Sequence, residues 1–276
     1  MDLSILTTVG RPVDLSYPTN RAIAFASFLV MVGAALLQRL LDANWIRSAM
    51  WGVQAGLSVF LAWALCRELD PDHDLSAFVA AGLALGGLLL WGLPRLTVLL
   101  WLILVLRVVN RTMGLPAGIL DSLTTLGLGI WLSLEGNWAY GFVTALAFLL
   151  DSQLPIRTPR QLVFAILGAL GTTAAAVLGE DFPWDGGLSA WGVLVALGAS
   201  AAFIPVIIES RDIISIGDRT GEPLEPVRVQ AAQVIALVVG LETSLLGGIP
   251  ALGSLVPLWA GILGASLYWL YHTLKP

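Results

Sequence analysis

The sequence predicts an all-α polytopic membrane protein with about ten transmembrane helices. Of its 276 residues, 57% are hydrophobic and 12% are charged, about half the charge of an ordinary soluble domain. The mean hydropathy is +0.86, and apolar stretches long enough to cross a bilayer recur along the whole chain. A soluble globule needs more surface charge and a disordered chain needs lower hydrophobicity, so both classes are excluded. The lipid bilayer is therefore the first predicted partner.

Each predicted helix is an apolar stretch bounded by polar or proline-containing segments. X-Pro pairs at 70–71, 93–94, 115–116, 154–155 and 249–250 fall between stretches, and the residue before a proline disfavours the helical conformation. The predicted spans are 21–41, 47–67, 75–93, 95–113, 116–134, 137–153, 160–178, 188–208, 228–246 and 251–272. Residues 1–20 form a separate N-terminal segment without the uninterrupted apolar run of a cleaved signal peptide.

The basic residues predict how the helices are oriented. Ten spans place three of the 14 basic residues on one side, Arg39, Arg47 and Arg95. The other eleven fall on the side that holds both termini; they are Arg11, Arg21, Arg67, Arg107, Arg111, Arg157, Arg160, Arg211, Arg219, Arg228 and Lys275. Because cytoplasmic loops are enriched in Lys and Arg, both termini are predicted to be cytoplasmic, in an inner or plasma membrane. A net charge of −5 argues against a nucleic-acid partner.

An internal similarity predicts two copies of one five-helix unit. Residues 47–78 align without gaps to 160–191, with eight identities in 32 positions, among them Asp72 with Asp185. Gly114-Leu-Pro-Ala similarly matches Gly248-Ile-Pro-Ala. Because five is odd, the two copies must insert with opposite orientations, as in many secondary transporters. The predicted units are 21–134 and 135–276, and the second contains a cytoplasmic loop insertion at 209–228.

The length of the chain and this five-plus-five arrangement are similar to those of the drug/metabolite transporter superfamily. The resemblance implies a permease that works by alternating access. It covers the architecture alone, because residues 75–113 do not carry the sequence characteristic of the third and fourth helices of that family. No residue role is therefore transferred.

Three aspartates between the second and third spans suggest a metal site. Asp70, Asp72 and Asp74 alternate along the loop beside His73, and carboxylate oxygens are ligands for divalent cations. An EF-hand would need a glycine and a glutamate where the chain has Leu75 and Ala81, so that motif is excluded. The competing interpretation is a solvated loop that caps the third span. No cofactor is predicted.

Because charged residues are rare in this chain, the few that lie in or near the apolar spans are candidates for function. Arg107 and Arg111 lie four apart at the end of the fourth span and share a helix face. With Asp121 they would form a buried ion pair or an anion site, unless they extend to lipid head groups. Glu242 is the deepest acid, in the ninth span, and a charge at such depth is costly, so it is the first candidate for proton coupling.

Two glutamines complete the set of candidate substrate or coupling residues. Gln54 in the second span and Gln233 in the ninth would hydrogen-bond a solute or join helices. Gly52-x3-Gly56 and Gly82-x3-Gly86 predict close helix approach.

The predicted function is a small-solute permease with proton coupling through Glu242. Zincin and serine-hydrolase motifs are not found in the sequence. The alternatives are an intramembrane enzyme acting on a lipid or isoprenoid, and a non-catalytic membrane subunit of a larger complex. A homo-oligomer is compatible with each of the three.

Overall fold

The computed structural model describes residues 7–42, 44–135, 137–178 and 189–275. Within these ranges the fold is all-helical, with ten α-helices and one short 3-10 helix, Ser210–Asp212. The helices are α1 (Pro18–Leu41), α2 (Trp45–Leu69), α3 (Asp74–Trp91), α4 (Leu96–Asn110), α5 (Ile119–Leu134), α6 (Ala139–Gln153), α7 (Gln161–Leu178), α8 (Ala190–Glu209), α9 (Pro226–Ser254) and α10 (Val256–Leu274).

Six of these helices, α1, α2, α3, α7, α8 and α9, are long and apolar enough to cross a membrane. By contrast, α4 and α5 are apolar but have 15 and 16 residues, fewer than the roughly 20 that span the hydrocarbon core. The prediction of an all-helical fold is thus confirmed for the described residues, and six helices are suited to cross a membrane by their length and composition. The count of ten spans stays a prediction.

The largest difference from the predicted boundaries lies in α9. The ninth span is predicted to end near residue 246. In the structure, α9 continues to Ser254 through a break at Gly248, where φ is 63° and ψ is −150°. Glycine tolerates this left-handed backbone, and Pro250 then stands where a short new turn begins, a position that proline favours. The Ile-Pro pair therefore marks a break inside α9.

The short helix α4 occupies the centre of the fold, where it packs on α2, α5, α6 and α9. Trp101 in this helix is fully buried; its Nε1 donates to Thr144 Oγ1 at 2.8 Å, and its ring meets Tyr140 edge-on. An apolar helix that is buried on most sides is typical of the core of a large helical protein.

The outer helices form two groups around this centre. Helices α1, α3 and α10 pack around α2, while α5 and α6 pack around α7. The last helix of each predicted half thus contacts the second helix of the other half. The contacts are only partly symmetric. The third helix of the first half, α3, packs closely on α10, the last helix of the second half, whereas the third helix of the second half, α8, packs on α10 and α9 of its own half. In addition, Asp185 and Leu188 of the predicted repeat lie outside the described residues.

One of the two predicted glycine pairs mediates helix contact. A Cβ on Gly52 would clash with the carbonyl oxygen of Met31, and one on Gly56 would lie 2.7 Å from that of Ser27, so α1 and α2 approach closely there. The prediction was wrong for Gly82 and Gly86, since a Cβ on either would have no described atom within 4 Å. These two glycines lie on a side of α3 that meets no other described helix.

Candidate functional site at the loop-rich face

The N-terminal segment and four interhelical connections meet at one end of the bundle. This loop-rich face consists of residues 7–17, 67–75, 107–121, 151–161 and 209–228. The Asp72 carboxylate accepts hydrogen bonds from the backbone N–H groups of Ile214 and Ser215, at 3.2 and 2.9 Å. The backbone N–H of Arg219 donates to the carbonyl of Met113, and Arg11 pairs with Asp218. The distribution of basic residues in the sequence predicts that these same segments lie on one side of the membrane.

A buried carboxylate lies at the centre of this face. Glu68, in the last turn of α2, has no exposed side-chain surface and pairs with Arg107 Nε at 2.7 Å. The same carboxylate accepts from Asn110 Nδ2 at 3.1 Å and from Thr112 Oγ1 at 2.5 Å. Arg107 Nη1 in turn donates to the carbonyl of Val9. The Glu68 cluster therefore ties α2, the end of α4 and the N-terminal segment together.

A second buried cluster joins α4, α6 and α9 through Asp151. Its Oδ1 atom accepts from Arg111 at 2.7 and 2.9 Å and from Arg228 Nη1 at 2.7 Å. Arg228 also donates to the carbonyls of Pro155 and Val109. Two guanidiniums and one carboxylate leave an excess positive charge, which carbonyl oxygens at the ends of α4 and α6 offset.

The predicted pairing of Arg107 and Arg111 with Asp121 is wrong. Arg111 ends α4 in the left-handed conformation, with φ 53°, so it no longer shares a helix face with Arg107. Asp121 instead accepts from the backbone N–H and the hydroxyl of Thr8, both at 2.8 Å, and from the Thr7 hydroxyl. It also accepts from the N–H of Gly118, so it caps α5 and anchors the N-terminal segment.

The three aspartates proposed as metal ligands have three different partners. Asp70 bonds to His73 Nδ1 at 2.8 Å, Asp72 binds the 214–215 backbone, and Asp74 pairs with Arg67. The described residues contain no group of three or more His, Cys, Asp or Glu side chains that could hold a metal ion. The loop is thus held by hydrogen bonds and ion pairs. The competing prediction of an aspartate cap on the third span is also wrong, because the N-cap of α3 is His73 and makes no side-chain cap hydrogen bond.

The bond between His73 and Asp70 predicts a pH-dependent contribution to stability. The hydrogen bond that His73 Nδ1 donates to the Asp70 carboxylate raises the pKa of His73 above its ordinary value, with burial opposing the shift. The charges of Asp72 and Glu209 also favour the cation, and the rings of Tyr268 and His272 lie 5.2 and 5.8 Å away.

Because the folded-state pKa is the higher one, this contribution is complete below the unfolded-state pKa and is lost as pH rises through the folded-state value. We expect His73→Gln to remove about 1 kcal/mol or less at pH 6 and less than that at pH 8, since the site is partly solvated. Thermal unfolding across this pH range measures the difference. His272→Gln is the control, and an equal loss at both pH values would contradict the prediction.

The remaining predicted residues lie away from these clusters. Gln233 is buried, and its Nε2 donates to the carbonyl of Leu69 and to Ser210 Oγ, both at 2.7 Å, so it joins α9 to the ends of α2 and α8. Gln54 is half-buried in a shallow depression that Asn44 and Arg47 also line. Glu242 is half-buried on α9 and makes no hydrogen bond or ion pair with the described residues.

Three cavities at the loop-rich face share one residue, Arg11. The largest holds about 460 Å³ and is lined by charges of both signs, including Arg67, Asp74, Asp218 and Arg219. The second, of about 400 Å³, adjoins it beside Asp72 and Thr112. The third, of about 180 Å³, is mainly apolar. Burial raises the pKa of Asp218, although Arg11 beside it opposes the shift.

Sequence reasoning missed Glu68 and Asp151, the two fully buried acids of this face. Both stand near the end of an apolar helix, where any acid is rare in this chain. That scarcity is the signal that would have singled them out. In comparisons with known proteins, no family model matches this chain, and neither a curated protein nor a solved structure shows significant similarity to it.

Proposed function

We propose that this chain is a membrane permease that moves a small solute by alternating access between two inverted five-helix units, residues 21–134 and 135–276. The observation that carries the proposal is a pair of corresponding glycines in the two predicted halves. Gly114 and Gly248, which the internal alignment superimposes, both have positive φ, 83° and 63°, and each is followed by an X-Pro pair. Gly114 lies in the connection between α4 and α5, whereas Gly248 breaks α9. Corresponding features in two halves favour the internal repeats on which many secondary transporters are built.

Glu242 is the coupling residue of this proposal. It stands six residues before the break at Gly248, and the described residues give it no ion-pair partner. An acid in a membrane helix that lacks a fixed counter-ion can exchange protons with a water-filled path, which is the requirement for proton coupling. The other candidate residues lie away from Glu242 and are structural supports in this scheme. They are Gln233, Gln54, Arg107, Arg111 and Asp121.

Exchange from proteoliposomes tests the proposal. Vesicles containing the full-length protein are loaded with a defined mixture of amino acids, sugars, nucleosides and organic amines, and efflux is followed by mass spectrometry at external pH 6 and 8. We expect at least one component to leave faster than it leaves protein-free vesicles with the same load, at a rate that depends on the pH gradient. Glu242→Gln should abolish that dependence, whereas Glu222→Gln, an exposed acid of the 209–228 loop, should not. If no component leaves faster, the proposal of a permease fails. If Glu242→Gln keeps the wild-type pH profile, the coupling role of Glu242 fails.

An enzyme acting on a lipid or isoprenoid is the second candidate function. The small apolar cavity beside Arg11 and Arg107 favours it, because it joins a lipid-compatible wall to cationic groups. Turnover of a lipid phosphate that depends on a divalent cation would support the enzyme over the permease. Stable co-purification with other proteins and no transport would instead favour the third class, a membrane subunit.

A further inference from the structure

A groove between α2 and α4 runs from the hydrophobic exterior of the bundle to the loop-rich face. Its walls are apolar and include Phe60, Leu61 and Ala64 of α2 and Leu100 and Ile103 of α4. Leu100 is half exposed, so the groove is open on the side that a bilayer would cover. Residues 11–13 of the N-terminal segment and Asn20 of α1 close its other end.

The closed end of the groove carries two cations. Arg11 and Arg107 both line it, and the described lining residues include no acid. Each guanidinium has a carboxylate partner outside the groove, Asp218 for Arg11 and Glu68 for Arg107. Within the described residues, Arg11 bonds through Nε and Nη2, and Arg107 bonds through Nε and Nη1. One Nη group on each has no partner there and is suited to a further acceptor, because guanidiniums bind phosphate oxygens well.

The wall of the groove also contains a buried donor without an acceptor. Trp63 lines the groove and is 8% exposed, and its Nε1 atom is buried with no hydrogen-bond partner among the described residues. A buried indole N–H ordinarily has a partner, because leaving one unpaired costs about 1–3 kcal/mol. In the same protein, Trp101 donates to Thr144. Nε1 itself has no exposed surface, so an oxygen bound in the groove would satisfy it once the indole turns toward the groove.

We propose that this groove binds an anionic phospholipid of the surrounding bilayer. The phosphate would sit between Arg11 and Arg107, with an oxygen of the lipid accepting from Trp63 Nε1 and the start of an acyl chain along Phe60 and Leu100. A volume of about 180 Å³ is below the roughly 300–1,000 Å³ of a site that encloses a whole small ligand. It suits a phosphate and the first part of a chain whose remainder stays in the membrane. This lipid site is independent of transport.

Lipid retention by the full-length protein in detergent tests the site. Native mass spectrometry compares phosphatidylglycerol with phosphatidylcholine of the same acyl chains, and separately with inorganic phosphate. We expect phosphatidylglycerol to be retained in preference to phosphatidylcholine. Trp63→Phe, which removes the unpaired N–H and keeps an aromatic ring, should weaken retention about tenfold without lowering the melting temperature. Ala64→Phe, which fills the groove, should abolish retention.

Matched charge variants distinguish lipid binding in the groove from attraction of anionic lipid to the protein surface in general. Arg11→Gln should weaken phosphatidylglycerol retention, whereas Arg21→Gln, which removes an exposed charge of α1, should not. Asp218→Asn breaks the ion pair of Arg11 but keeps the cation, so it should leave retention equal or stronger.

Three results would overturn the proposal. The first is equal weakening by Arg11→Gln and Arg21→Gln, which would indicate unspecific attraction of anionic lipid. The second is full retention by Ala64→Phe. The third is displacement of the lipid by inorganic phosphate at equal concentration, which would assign the cations to a free anion.

Discussion

Replacing Asp151 by asparagine is expected to lower the free energy of unfolding by about 3–5 kcal/mol. Asp151 is fully buried, and its Oδ1 atom is the shared acceptor of Arg111 and Arg228. Asparagine has nearly the same volume but no charge, so two buried guanidiniums would face each other without a counter-ion. Both arginines are also nearly inaccessible, 5% and 1% exposed, so water cannot replace the lost charge.

The measurement uses Cys66, the single cysteine of the chain, which is buried in α2. A thiol-reactive dye reports its exposure during thermal unfolding in detergent. Asp42→Asn is the matched control, because it makes the same chemical change in an ion pair whose arginine, Arg47, is 70% exposed. Such pairs contribute little to stability, so no measurable shift is expected there. Equal shifts in the two variants would show that the Asp151 cluster is not a major source of stability.

The positions of the helices could be predicted from the sequence because their signals are local. An apolar stretch of a given length, bounded by prolines, identifies a helix without knowledge of its neighbours. The same kind of signal failed at Ile249-Pro250, where proline begins a new turn after the break at Gly248. Whether a proline ends a helix or restarts it depends on the backbone before it, which the sequence leaves open.

The partners of the charged residues could not be predicted, because each is set by how distant helices pack. The sequence singles out Arg107 and Arg111, yet their partners lie 39 and 40 residues away in the chain. The assumption of one shared helix face failed because Arg111 leaves the helix with positive φ. Charge counting, in contrast, grouped the right segments at one face, since it depends on the order of loops along the chain and on no particular contact.

Replacing Glu68 by glutamine is the second change with a large expected effect, again a loss of about 3–5 kcal/mol. The Glu68 carboxylate accepts from three different side chains, those of Arg107, Asn110 and Thr112. Glutamine keeps the size of the side chain, but it is neutral and has one oxygen where the site provides donors for two. Arg107, which is 12% exposed, would lose its carboxylate partner. Unfolding of the solubilised protein measures the loss.

A double-mutant cycle with Arg107→Gln distinguishes charge pairing from packing. Each single variant leaves one buried charge without its partner, whereas the double variant leaves none. We therefore expect the double variant to lose less stability than the sum of the two single losses, by roughly 1–3 kcal/mol. Additive losses would mean that the two side chains stabilise the fold independently, and the ion pair would then not be the centre of this cluster.

The cycle also predicts a local consequence for the N-terminal segment. Arg107 is held by Glu68 and donates to the carbonyl of Val9, so the pair fixes the segment that closes the groove at Arg11. In Glu68→Gln, exchange of the amide hydrogens of Val9, Gly10, Arg11 and Val13 should accelerate more than exchange at residues 7–8. The hydroxyl and backbone N–H of Thr8 remain bound to Asp121 in that variant. Equal acceleration along 7–13 would show instead that the segment is released as one unit, with Asp121 providing no separate anchor.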